Sequence, residues 1–168
     1  MGWTDFYQRR DIADAVLRRA SRDPRAHLPL AEIPGAKEVF GSEEQLLLAL
    51  QYRWSRLLSG HLRTEFEDGT DDHVEAVTRA WHRAVRANRT LRAVLDAQVE
   101  RYPAVRQMHE AEVRMLAVAA GLADPGEPAD EITKVGTAFF ALLRHGPELE
   151  APRRNPLGHL LKMLAPSA

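Results

Sequence analysis

Between residues 42 and 67 the chain holds no proline, and its apolar side chains return every three or four residues, the period of a helix. The inward line reads Leu47, Leu50, Trp54, Leu57 and His61, with Leu46 and Leu58 widening the face. The start of this segment is strongly marked. Phe40-Gly41 ends what comes before it, Ser42 can accept a hydrogen bond from the backbone N–H three residues on, and Gln45 can reach back to the Ser42 N–H, together a capping box. Glu43 and Glu44 fall in the first turn, where carboxylates favour the positive end of the helix dipole. One long amphipathic helix is expected here, and the other segments are placed before or after it.

A first helix is expected from residue 3 to about 22, with Ile12, Ala15, Val16, Arg19 and Ala20 on its stripe and Phe6 earlier at helical spacing. Asp23-Pro24 stops it, because the residue before a proline is pushed out of the helical region. Residues 30–33 have the length of one short turn, Pro34-Gly35 breaks it, and 36–40 make another. Past the long helix, residues 71–87 carry Val74, Val77, Trp81 and Val85, with Asn88 as break and cap. Residues 90–101 present Leu91, Val94, Leu95 and Val99. Pro103 suits the first turn of a helix running to about 122, where its missing N–H is no loss. Val105, Met108, Met115, Leu116 and Val118 are its apolar positions, and 115–122 is apolar almost all round, so burial on more than one side is expected. Pro128 opens a last long helix with Ile132, Val135, Ala138, Phe139, Leu142 and Leu143 on its face, closed by Gly146-Pro147. Residues 148–156 read as irregular, and 157–164 as a short final helix, docked or loose. No period-2 run and no hairpin dipeptide occurs between apolar stretches, so the fold class is all-α.

Charge and composition remove several function classes. The chain has no cysteine, which excludes disulfides, thiolate zinc sites and cysteine nucleophiles. A net charge of −1 provides no global basic field for nucleic acid. Only Lys37, Lys134 and Lys162 among the 23 basic residues are lysines, and a chain this rich in arginine and alanine reads as the product of a GC-rich genome more than as arginine recruited for phosphates. No apolar run approaches the roughly 20 residues that span a bilayer, so no membrane partner is expected. The first residues mix acids and arginines without an apolar signal core, so a cytoplasmic protein is expected. The seven histidines never fall four apart, no Glu-x-x-His occurs on the expected helices, and no metal site is expected. Catalytic triads, phosphate-binding glycine loops and dinucleotide fingerprints are absent, so neither enzyme nor cofactor is expected.

Phe40-Gly41-Ser42-Glu43-Glu44-Gln45-Leu46-Leu47-Leu48-Ala49-Leu50 resembles the junction between head and body in the TetR family of bacterial transcriptional regulators. Asp11-Ile12-Ala13-Asp14-Ala15-Val16-Leu17 looks like that family's first helix, and Leu30-Ala31-Glu32-Ile33 like the opening of its second. The resemblance implies a TetR-like multi-helix bundle: a small helical head over 1–41, a ligand-binding and dimerisation body over 42–150, and a tail over 151–168. It also implies a small-molecule effector, a homodimer, and a pivot in which the effector moves the long connecting helix and repositions the heads. The chain departs from the family in the head. Between Ile33 and Phe40 lie only the six residues Pro34-Gly35-Ala36-Lys37-Glu38-Val39, under two helical turns, whereas a recognition helix must be long enough to lie in the major groove. Residues 1–40 carry seven basic against six acidic side chains, a net of +1, thin for a phosphate-neutralising surface. The head is therefore read as shortened, its DNA-reading part lost or reworked, with Lys37 the one basic residue left where the recognition helix would be, as a phosphate contact or a solvated turn lysine.

In the body, Trp54 and Trp81 lie on the inward lines of two neighbouring helices and His61 continues the Trp54 line. Both tryptophans are either core or, as the resemblance implies, walls of an effector cavity. Glu112 interrupts the apolar line between Met108 and Met115, so its carboxylate must be paired, hydrogen-bonded or turned to a wet cavity, with His109 or Arg114 as the candidate partners. The expected pocket wall is thus Trp54, His61, Trp81, Met108, Glu112 and Met115. Gly136 beside Phe139 and Phe140 marks a close-approach face, either for packing within the chain or, as the resemblance implies, for a dimer interface; the dimer is the expectation because two adjacent phenylalanines point to different quarters of a helix and one chain can hardly cover both.

Overall fold

The fold is taken from a computed structural model that describes residues 2–69 and 71–146. The expected tail, 151–168, lies outside those residues. Helices form where the sequence repeats at helical spacing and stop at the prolines and glycines: α1 Trp3–Ala20, a 3-10 turn Leu30–Glu32, α2 Ala36–Phe40, α3 Glu43–Glu67, α4 His73–Ala87, α5 Arg89–Gln98, α6 Pro103–Ala119 and α7 Ala129–His145. The class is all-α, with no strand among the described residues.

α3 is the centre of the bundle, packed against α2, α4, α5 and α6. The Ser42 hydroxyl accepts from the Gln45 backbone N–H at 3.2 Å, as a cap should. The reciprocal half of the capping box is not made: the Ser42 N–H donates to the Phe40 carbonyl at 2.9 Å instead, and Gln45 is exposed. The buried line of α3 runs Leu47, Leu50, Gln51, Trp54, Leu58, Leu62 and Glu65, leaving Leu57 and His61 half-buried at its edge. A strict three-four alternation has a period of 3.5, and an uncurled helix drifts about 20° per heptad away from it, which carries the face onto Leu58 and Leu62.

The head differs from its expected stripe at the start of α1. Ile12, Ala13, Val16, Leu17 and Ala20 are buried, while Phe6 is 57% exposed. α1 packs on α5 and on the five residues of α2, and this cover does not reach its first turns. The head is nevertheless joined firmly to the body. One apolar cluster runs from Ile12 and Phe40 through to Leu143. Gln98 donates to the carbonyls of Pro24 and Ala26, both at 2.8 Å, and Arg53 pairs with Asp14 at 2.6 Å.

In the body, α4 buries Ala76, Val77, Ala80, Trp81 and Ala84, with Val74 left exposed at its open first turn. α6 and α7 approach so closely that a Cβ on Gly136 would stand 2.3 Å from the Val113 carbonyl oxygen. The stretch 115–122 is fully buried on one side only: Leu116, Ala117 and Ala120 are covered, Met115, Val118 and Ala119 half-covered, and Leu122, past the end of α6, exposed. On α7 the buried face is Ile132, Gly136, Phe139, Phe140 and Leu143, so Ala138 and Leu142, expected inward, face out.

Candidate functional site

Two glycines with left-handed backbone, Gly35 at φ 78° and Gly41 at φ 75°, bracket α2. Its five residues rise about 7.5 Å, less than the roughly 12 Å width of a major groove. Lys37 is exposed on it. Two of the head arginines have partners within the chain: Arg9 donates to the Val39 carbonyl at 3.0 Å and lies over the Phe40 ring, and Arg19 pairs with Glu32. The junction is fastened at Glu43, whose carboxylate accepts from the Leu28 N–H at 2.9 Å and the Tyr102 hydroxyl at 3.1 Å and pairs with Arg101 and His27. Burial pushes the Glu43 carboxyl up, but the hydrogen bonds from His27, Leu28 and Tyr102 outweigh it and hold the group below its ordinary value.

At the middle of the body Glu112 is a buried acceptor. It receives Gln51 Nε2 at 2.6 Å, Trp54 Nε1 at 2.9 Å and Arg92 Nη1 at 2.9 Å. Arg92 is itself buried, donates through Nε to Asp96 at 2.9 Å, and lies 4.9 Å from the Trp54 ring and 5.4 Å from Phe140. Neither of the partners expected for Glu112 bonds to it. Arg114 donates to the Thr133 hydroxyl at 3.0 Å, and His109 stacks edge-on to Phe140 at 4.8 Å. A partner from another helix wins because Arg92 projects into the core from α5, across from α6, and can bridge two carboxylates there. Burial is the main cause holding His109 below 6.5; Glu112 and Asp96 pull it up, and Arg92 and Arg144 push it further down.

Of the expected pocket wall, Trp54 and Glu112 meet in this core cluster, and His61, Met108 and Met115 stay half-buried on α3 and α6 without entering those hydrogen bonds. Trp81 is separate. With His82, Val85, Arg86, Arg89, Arg92, Asp96, Leu143, Arg144 and Gly146 it lines an open cleft of about 370 Å³ between α4, α5 and the end of α7. Trp81 is 4% exposed, and among the described residues its indole N–H has no acceptor. His82 Nε2 lies 3.0 Å from the Leu143 carbonyl, which can only accept, so this nitrogen carries the proton and the buried Nδ1 is left without a partner. Trp81 packs edge-on against Phe140 at 5.9 Å, which links the cleft to the Glu112 cluster.

The premise for a dimer through Gly136, Phe139 and Phe140 fails on packing. Both phenylalanines are covered within one chain, at 5% and 6% exposure, and Phe140 meets Trp81 of α4, Arg92 of α5 and His109 of α6. Gly136 is spent on the Val113 backbone. Sequence reasoning also passed over Gln51, Arg92 and Asp96, although Gln51 one turn after Leu47 and Arg92 beside Leu91 are polar residues within apolar lines. No group of three histidine, aspartate or glutamate side chains among the described residues is placed to hold a metal ion, and none of the described helices is long and apolar enough to cross a membrane. Neither a protein-family model nor a curated protein nor a solved structure matches this chain.

Proposed function

We propose that this chain is a regulator-derived small-molecule-binding protein of TetR-like build, homodimeric, whose head does not read a major groove. The observation that carries the reading is the pairing of a five-residue α2 with an open cleft floored by a tryptophan whose buried N–H has no acceptor. A cleft of about 370 Å³ falls within the roughly 300–1,000 Å³ range of small-molecule sites. An occupant there would touch Arg92, and Arg92 reaches Glu112, which holds Gln51 and Trp54 of α3. α3 in turn carries the head through Glu43. This gives the pivot that the family resemblance implies a physical route.

Exposed Leu122, just past α6, and Leu142 of α7, the latter 68% exposed, together with the half-covered Met115 and Val118 of α6, are the surface this reading assigns to the second copy. A second reading, a helical homodimeric scaffold with no ligand, is favoured by one fact: Trp54 and Glu112 satisfy one another inside the core and need no occupant.

A band shift with DNA from upstream of its own gene tests the head, at low and at moderate salt. Weak, sequence-independent retention that vanishes at moderate salt is expected. A salt-resistant, sequence-specific complex would restore a conventional repressor.

A further inference from the structure

We infer that the cleft between α4, α5 and α7 takes an amphipathic organic monoanion, a carboxylate on an apolar body. This rests on the proposed small-molecule role and names the ligand class for it. The charges around the cleft decide the sign. Among the described residues Arg86, Arg89, Arg92 and Arg144 line it against the carboxylate of Asp96, and Arg86 has an interaction of its own, so it is left out of the balance. Arg92 is spoken for by Asp96 and Glu112, and Arg144 approaches Asp96 at 3.7 Å. Arg89 is exposed and has no carboxylate partner among the described residues. What remains is enough positive charge for one carboxylate, too little for a multiply charged phosphate.

The backbone adds to the same field. Arg89 opens α5, whose first turn holds no acidic residue, and its N-cap Asn88 makes no side-chain cap. The Asn88 amide donates backwards to the Ala84 carbonyl at 3.1 Å. The first-turn N–H groups of α5 beside Arg89 are therefore left without a side-chain cap, although the carbonyl end of α4 lies just across Asn88. Trp81 lines the cleft, and its buried N–H has no acceptor among the described residues, which costs free energy. Val85, Leu143 and the Trp81 ring supply the apolar wall for the rest of the ligand.

The test titrates the full chain with octanoate, octanamide and octylammonium, following tryptophan fluorescence and, independently, calorimetric heat. Octanoate is expected to bind saturably, on the order of tenfold or more tighter than octanamide, with affinity falling as salt rises. Arg89→Glu, on an exposed side chain, is expected to weaken octanoate by at least about tenfold and leave octanamide unchanged. Arg56→Glu makes the same charge change on the exposed face of α3 and is expected to change neither. Far-UV circular dichroism checks that both variants fold. Equal binding of octanoate and octanamide, preference for octylammonium, or an Arg89→Glu variant with unchanged octanoate affinity would overturn the anion assignment while leaving a pocket. Absence of saturable binding by all three would remove the small-molecule reading as well.

Discussion

Replacing Glu112 with alanine takes away the acceptor shared by three buried donors, Gln51 Nε2, Trp54 Nε1 and Arg92 Nη1. Each neutral donor stranded in the core costs roughly 1–3 kcal/mol. Arg92 keeps Asp96, so its charge is not left bare, and its share falls at or below the low end of the roughly 3–5 kcal/mol seen when one partner of a buried pair is removed. The three losses share one site and do not add in full, and water entering the vacated space offsets part of them. About 4–6 kcal/mol is the expected total. Domains of this kind are stable by roughly 5–15 kcal/mol, so Glu112→Ala should fold marginally. Glu112→Gln keeps an acceptor oxygen and the shape of the side chain, and should lose about half as much. Urea unfolding followed by circular dichroism measures both, with the slope of free energy against urea unchanged in each. A loss below about 1 kcal/mol for Glu112→Ala would mean that the carboxylate is solvated in solution, and the central cluster would not be what holds α3, α5 and α6 together.

Gly136→Ala would put a Cβ 2.3 Å from the Val113 carbonyl oxygen and 2.6 Å from its carbon, backbone atoms that cannot rotate away, so α6 and α7 must part. A loss of about 3 kcal/mol is expected, and a fall in Tm of roughly 6–12 °C; an unchanged Tm would refute the close crossing. His109 makes stability depend on pH, because its folded value is lowered. Its contribution is fully present above 6.5, where the imidazole is neutral folded and unfolded, and is lost as pH falls through the lowered folded value, since the unfolded chain binds the proton first. His109→Leu should flatten the pH dependence of the unfolding midpoint below 6.5, and an unaltered slope would show that another group sets it.

Much of the secondary structure was legible because helix ends are local. Pro24, Gly35, Gly41, Asn88, Pro103, Pro128 and Gly146 act through φ, a missing N–H or a cap, and each lies within three residues of a boundary in the structure, apart from Pro24, which stands four past the end of α1. Where a face turns inward was less legible. Leu57 and His61 were expected on the buried line of α3, and Leu58 and Leu62 occupy it, because a fractional helical period lets the line drift over 25 residues. Phe6 fell on an apolar stripe, but a stripe is buried only if something stands opposite it, and α2 is too short.

From the sequence alone came an all-helical chain, a long capped α3, a head too short for a groove-reading helix, and the oddity of a carboxylate in the Met108–Met115 line. Only the tertiary structure decided what that carboxylate does. Arg92 lies 20 residues from Glu112 and Gln51 lies 61, separations at which no periodicity or cap can act. The same holds for Phe140, which meets side chains of α4, α5 and α6, and for Trp81, Arg89 and Arg144, gathered into one cleft only when α4, α5 and α7 pack. Boundaries are set by backbone chemistry a few residues wide; partners across the core are chosen by packing, which the linear pattern does not contain.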